Sequence, residues 1–214
     1  MSLWMVVALA GLALGLFFRE RIFAEWETAS ADWKGWLGRM WKEWGEPFLI
    51  AALIALVIRS FILGPYKIPT GSMRPTLLEG DRIFVDKVTY RFRPPERGEI
   101  IVFKYPLDPK KDFVKRLIAF GGEEVEIKEG AVYINGKSLD HLSNGPMYYY
   151  SNRNDWDYGK EGQKIKVPPD SLFVLGDNSA HSSDSRNWGF VPRKNLVGRA
   201  FLIWWPFPRF CLLR

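Results

Sequence analysis

The stretch Phe113-Val114-Lys115-Arg116-Leu117-Ile118-Ala119-Phe120, "FVKRLIAF", sets two adjacent charges inside an apolar run. Its β-branched and aromatic content and its length suit a strand. Strict alternation puts Phe113, Lys115, Leu117 and Ala119 on one face. Val114, Arg116, Ile118 and Phe120 then share the other. Each charge has apolar neighbours on its own face, which is costly unless the charge is neutralised or paired. Desolvation lowers a lysine pKa from about 10.4, by roughly 3–5 units at full burial. Lys115 would then be a usable general base near neutral pH. An edge-strand lysine that limits aggregation is the other reading of this residue.

Outward from this run the same pattern recurs. Candidate strands are Asp81–Thr89, Ile100–Tyr105, Phe113–Phe120, Val125–Lys128, Ala131–Ile134, Ser171–Leu175 and Leu196–Trp204. Turn signals separate them: Arg93-Pro94-Pro95-Glu96-Arg97-Gly98, Gly121-Gly122, Glu129-Gly130 and Asn135-Gly136. Short strands with such punctuation predict a mainly β domain of antiparallel sheet over residues 64–214. Residues 138–168 are polar and Tyr-rich and read as a surface excursion.

The first 63 residues differ in kind. Leu3 to Phe18 carries no charge and is followed by Arg19-Glu20-Arg21. A cleavable signal peptide has its positive charge before the apolar run. Here it comes after, so 1–18 reads as an uncleaved first transmembrane anchor, with a buried soluble helix as the alternative. A second apolar run, 47–63, reads as a second transmembrane helix, with Arg59 able to snorkel. Between them, Trp33, Trp36, Leu37, Met40, Trp41 and Trp44 recur at helical spacing in an amphipathic loop, 19–46. Arg19, Arg21, Lys34, Arg39 and Lys42 make that loop positive and hence cytoplasmic, leaving 64–214 outside.

The net charge of +6 suits anionic lipid or nucleic acid. No basic region, helix-turn-helix pattern or RNA-binding aromatic motif is present, so lipid is favoured over nucleic acid. The lone cysteine, Cys211, permits no internal disulfide and leaves the compartment open. No Cys/His cluster has zinc spacing, so neither metal nor cofactor is expected. The tail from Ala200 to Phe210 gathers Trp204, Trp205 and Phe207, which could dip into a leaflet face.

Ser72 lies in Ile68-Pro69-Thr70-Gly71-Ser72-Met73-Arg74-Pro75, between two turn signals. A serine at such a bend can aim its backbone N–H at a substrate carbonyl. Residues Thr76 to Gly80 read as one helical turn after Pro75. A hydroxyl nucleophile needs a base. His141 and His181 are candidates besides Lys115, and a Ser72–His181–Asp184 triad is conceivable from the sequence.

Four blocks, 69–81, 97–106, 112–123 and 176–192, together resemble bacterial type I signal peptidase, a membrane-bound Ser/Lys endopeptidase that removes signal peptides. The resemblance implies Ser72 as nucleophile and Lys115 as general base. It implies an oxyanion hole from the Ser72 N–H and the Thr70 hydroxyl. Ser182 would hydrogen-bond and orient the Lys115 amine, and Gly176 would give the backbone room. Asp177, Asp184 and Arg186 would form an ionic support. Ile68, Met73, Leu77, Val102, Phe113 and Val114 match substrate-pocket positions. The implied partners are signal peptides of exported preproteins, the phospholipid membrane and a nearby export translocon. The implied location is the bacterial inner membrane, multi-pass. Gly121-Gly122-Glu123 and Ser179-Ala180-His181 depart from the family's usual residues, and the latter is why His181 needs a test.

Overall fold

The computed structural model describes residues 33–57, 59, 62–139 and 150–213. The expected first span, Arg19, Arg21 and His141 lie outside them. The chain divides into two compact units, Met1–Leu56 and Val57–Arg214.

In the first unit the helix Trp33–Met40 continues through a π turn, Trp41–Gly45, into the helix Glu46–Val57. The chain therefore stays helical across the expected boundary between loop and second span. Glu46–Val57 is apolar after its first residue, and Phe48, Leu49, Ile50, Leu53, Ile54, Leu56 and Val57 are all exposed. Its apolar surface is not confined to one face. Among the described residues no helix is long and apolar enough to cross a membrane.

The second unit is mainly antiparallel β-sheet. Its strands are β1 (Leu63–Lys67), β2 (Arg82–Asp86), β3 (Ile100–Tyr105), β4 (Asp108–Phe120), β5 (Glu124–Lys128), β6 (Ala131–Ile134), β7 (Lys137–Ser138), β8 (Lys164–Lys166), β9 (Ser171–Leu175), β10 (Val191–Pro192), β11 (Leu196–Trp205) and β12 (Cys211–Leu212). One sheet runs β1-β2-β11-β3-β4-β9-β10, with β12 beside β11; the other runs β7-β6-β5-β8. β3, β6 and β9 coincide with the predicted spans. Gly136, with φ of 77°, follows Asn135 and closes the β6–β7 hairpin, as an Asn-Gly pair does in a type I′ turn.

Strict alternation in β4 holds only as far as Leu117. A register shift against β9 between Leu117 and Ala119 inserts a bulge. Phe120 then packs in one cluster with Leu117 and Phe113, while Ile118 and Ala119 pack together in another. The faces expected after Leu117 are therefore corrected by one extra residue.

Two stretches of sheet edge stay open. Among the described residues β1 pairs with β2 alone. β9 takes up β4 only from Arg116 onward. The edges at Leu63–Lys67 and Asp112–Lys115 thus keep backbone groups that no described strand claims.

Candidate active site

The turn that carries Ser72 is built from local rules. Thr70 is extended, with φ −132° and ψ 154°. Gly71–Met73 then forms a single 3₁₀ turn, and Arg74 returns to extended geometry, as a residue before proline must. The helical turn therefore falls on Ser72 itself, not on Thr76–Gly80 as expected. Leu77 N–H reaches the Met73 carbonyl at 2.9 Å, and Gly80, at φ 89°, turns the chain back so that its N–H meets the Ile68 carbonyl at 2.8 Å. Asp81 closes the loop: its carboxylate accepts from Leu78 N–H at 2.8 Å and its carbonyl from Ile68 N–H at 2.9 Å. Arg209 clamps that carboxylate from the C-terminal segment at 2.9 and 3.0 Å and donates to the Thr76 carbonyl at 3.1 Å.

Lys115 reaches this turn from β4. Its Nζ donates to Ser72 Oγ at 2.6 Å. The side chain is only 4% exposed. Burial lowers its pKa from 10.5 to about 8; the charges of Asp184 and Asp177 oppose the shift and Arg186 adds to it. Among the described residues no carboxylate is paired to the amine, so desolvation prevails. Lys115 lies on an open strand edge, but the edge-strand reading of its charge fails because the side chain is buried against the Ser72 turn rather than held in solvent.

Beneath the pair lie two buried ion pairs. Arg116 grips Asp177 through Nε at 2.8 Å and Nη2 at 2.7 Å, and donates Nη1 to the Gly98 carbonyl at 2.7 Å. Arg186 grips Asp184 at 2.9 and 2.8 Å, and also holds Ser179 Oγ and the Ser151 carbonyl. Such forks fix two planes at once. Asp184 also accepts from Gly176 N–H at 2.9 Å. The expected single support of Asp177, Asp184 and Arg186 is thus two separate pairs, and Arg116 is the member that sequence reasoning missed. Its signal was available: a buried arginine on an apolar face needs a carboxylate.

Asn178 was also missed. Its N–H donates to the Ser72 carbonyl at 3.0 Å and its side-chain amide to the Gly71 carbonyl at 2.9 Å. It braces the Ser72 turn through both bonds. Gly176 passes so close that an added Cβ would collide with the Ser182 side chain and the Ser72 carbonyl oxygen. Ser182 is buried over Gly176, yet among the described residues its Oγ makes no hydrogen bond. The expected bond from Ser182 to the Lys115 amine is not formed here, the amine being directed at Ser72.

His181 is exposed, and its Nδ1 lies 3.4 Å from Asn178 Oδ1. Asp184 is fully buried and committed to Arg186 and Gly176. The conceivable triad is therefore not assembled, because the buried acid faces inward and the histidine faces solvent.

A cavity of about 150 Å³ opens beside Ser72 and Lys115. Ile68, Met73, Phe113 and Val114 line it, together with Thr70 and the unanticipated Tyr66 and Asp112. Tyr66 OH donates to Asp112 Oδ2 at 3.1 Å, and burial with the nearby carboxylate pushes its pKa up to about 12. Leu77 and Val102 do not line it; they are fully buried in the cluster that holds Ile68 and Met73. Among the described residues no group of His, Cys, Asp and Glu could hold a metal ion.

A serine hydroxyl bonded to a desolvated lysine, at a turn beside an open groove, is equipped for acyl transfer through a covalent ester. The model of the family "Signal peptidase, peptidase S26" matches residues 41–205. A probable signal peptidase I-2 of Synechocystis sp. is 44% identical, over 81% of this chain and 77% of its own length. Signal peptidase I of Aquifex aeolicus is 37% identical, over 78% and 84%. That of Bacillus caldolyticus is 36% identical, over 81% and 93%. The chain belongs to the signal peptidase family S26 and is a peptidase.

Proposed function

We propose that Ser72 is the nucleophile and Lys115 the general base of a membrane-bound peptidase that cuts signal peptides from exported preproteins. The 2.6 Å bond from Lys115 Nζ to Ser72 Oγ carries this reading. Neutral Lys115 takes the Ser72 proton as Oγ attacks the scissile carbonyl carbon. The carbonyl electrons move onto oxygen, and the Ser72 N–H and the Thr70 hydroxyl take the role of stabilising that charge by hydrogen bonds. As the C–N bond breaks, the lysine proton passes to the departing amine, leaving an ester on Ser72. Lys115 then deprotonates water, which attacks the ester, and the proton returns to Ser72 as the acid leaves. No cofactor or metal enters any step.

The contacts support the remaining roles. Arg116–Asp177 and Arg186–Asp184 hold β4 and the Gly176 strand end rigid, and Ser182 fills the space over Gly176. A signal peptide would lie extended between the free edges at Leu63–Lys67 and Asp112–Lys115, its backbone satisfying them. Small side chains before the cut would enter the cavity walled by Ile68, Met73, Phe113 and Val114, with Leu77 and Val102 packed in the same cluster as Ile68 and Met73.

Membrane placement completes the reading. Residues 1–18 and 47–63 are the anchors, the second ending where Leu63 opens β1, 19–46 lies in the cytoplasm, and 64–214 is exported beside the translocon. The bacterial inner membrane is then the location. The apolar surface of Glu46–Val57 supports this, as do exposed Trp205, Phe207, Phe210 and Leu212. Trp204, by contrast, stacks on Phe84 at 5.6 Å and belongs to the sheet surface, which corrects its expected place in the lipid-facing group.

The test is cleavage of a preprotein in detergent. Ser72→Ala and Lys115→Ala should each abolish it, and His181→Ala should leave it nearly intact. Loss with His181→Ala and survival with Lys115→Ala would reverse the assignment of the base.

A further inference from the structure

A second, larger cavity lies in the β unit outside the peptide groove. It measures about 320 Å³ and is rimmed by Lys87, Arg91 and Arg193 over Tyr90, Pro95 and Leu196. That volume is within the range of small-ligand sites, roughly 300–1,000 Å³. Its lining carries three cations and no carboxylate.

The carboxylates of the neighbouring elements are engaged elsewhere. Asp86 accepts from the backbone N–H groups of Val88 and Thr89 at 2.7 and 3.0 Å. Glu99 is buried and holds Arg93, Arg199 at 3.3 Å and the Tyr90 hydroxyl at 3.0 Å. Arg93 and Arg199 are thereby neutralised, whereas among the described residues Arg91 and Arg193 have no ion-pair partner. Two guanidinium forks without carboxylates, beside an ammonium, form a receptor for a phosphate-bearing group.

Chain connectivity says which phosphate. Lys87 N–H donates to the Ile62 carbonyl at 3.0 Å, and its Nζ reaches the Arg59 carbonyl at 3.5 Å. Those carbonyls follow the apolar helix Glu46–Val57 by only a few residues. The cavity is thus tied to residues that directly follow the apolar segment in sequence, which the proposed membrane placement puts at headgroup level. Phe92, next to Arg91 on the same short turn, is 84% exposed and offers an apolar contact beside the cations.

We infer that the Lys87–Arg91–Arg193 cavity binds the phosphate-bearing headgroup of an anionic phospholipid. This rests on the membrane placement under Proposed function. It adds a specific lipid site to that placement, fixing how the catalytic unit stands on the leaflet.

The experiment uses the full chain in detergent, mixed with equal amounts of phosphatidylglycerol and phosphatidylcholine, and reads retained lipid by native mass spectrometry. Phosphatidylglycerol should be retained at least fivefold over phosphatidylcholine. The double variant Arg91→Ala/Arg193→Ala should lose that preference. The charge-matched control Lys137→Ala/Lys160→Ala should keep it within twofold. Equal loss in both doubles would overturn the site in favour of diffuse attraction. Saturable, Arg91- and Arg193-dependent binding of glycerol 3-phosphate without any lipid preference would make it a soluble phosphate-ester site, and overturn the lipid assignment. Preference that persists in Arg91→Ala/Arg193→Ala would place the lipid elsewhere, or, if an acidic peptide competes at that cavity, give the cavity to a protein partner. Retention of no lipid at all would remove the membrane placement along with the site. Circular dichroism melts of both doubles confirm that the comparison is between folded proteins.

Discussion

Lys115 and Ser72 meet through one 2.6 Å hydrogen bond although 43 residues separate them. The strand brings the amine and the loop brings the hydroxyl, and among the described residues no acid is paired to the amine. The pair is therefore polarised by desolvation rather than by a counter-charge, which fixes the sign of its response to pH.

The pH dependence of cleavage should follow the amine. With its pKa lowered to about 8, Lys115 is a competent base only above that value. The kcat/KM of a preprotein substrate should rise tenfold per unit below about pH 8 and level off above it. A rise displaced to the free-lysine value near 10.4 would remove desolvation as the cause.

Stability should show the same group with the opposite preference. Above about 10.4 the amine is neutral in both folded and unfolded chains. Between that value and about 8 the unfolded chain binds the proton first, so stability falls as pH falls. Below about 8 the full cost is present, on the order of 3 kcal/mol for a shift of this size. Lys115→Met should therefore raise the midpoint of urea unfolding at pH 7, with the gain shrinking at pH 10.5. A loss of stability at pH 7 would mean that the bond to Ser72 outweighs the desolvation.

Arg116 and Asp177 are each almost completely buried. Removing one leaves the other as an uncompensated charge, at a cost of about 3–5 kcal/mol. Arg116→Ala and Asp177→Asn should both destabilise strongly in denaturant titrations, and the double variant should cost clearly less than the sum. Arg116→Lys keeps the charge but not the fork, and should fall between wild type and Arg116→Ala. Additive losses would show that the pair is not coupled.

Gly176 should tolerate no side chain. Gly176→Ala drives a methyl into the Ser182 side chain and the Ser72 carbonyl. We expect a loss of kcat of about a hundredfold, the scale of a misplacement near 1 Å. Adding Ser182→Gly should recover part of it, since one of the two collisions is relieved. A double variant as impaired as Gly176→Ala would leave the Ser72 carbonyl as the controlling contact.

Arg209 should act on the nucleophile loop from a distance. Its fork holds Asp81, which closes residues 68–81. Arg209→Ala should raise amide exchange in Ile68–Asp81 and lower kcat more than it raises KM, with Arg209→Lys intermediate. Unchanged exchange in that loop would reduce Arg209 to a surface contact.

Much of the fold was legible because it depends on local chemistry. The β3, β6 and β9 spans follow from apolar and β-branched runs bounded by Gly, Pro and Asn turns. The short strands β7, β8, β10 and β12 were not, since two or three residues carry no period of their own. β1 was hidden by its position against the apolar run that precedes it. The bulge at Ile118 is set by pairing with β9, which alternation along one strand cannot express.

The site divides in the same way. Residue order alone established that Lys115 and Arg116 each sit among apolar neighbours and that Ser72 lies at a tight turn. On residue chemistry it left open whether His181 or Lys115 served that serine, and it missed Arg116, Asn178 and Asp81 as braces. Tertiary packing shows which side chain touches that serine and which residues brace its loop. Bringing β4 onto the 68–81 loop excludes water from the amine and sets it against Ser72 Oγ, while the same packing spends Asp184 on Arg186 and leaves His181 in solvent. Desolvation and pairing depend on what the whole chain places around a group, and no run of neighbouring residues contains that information.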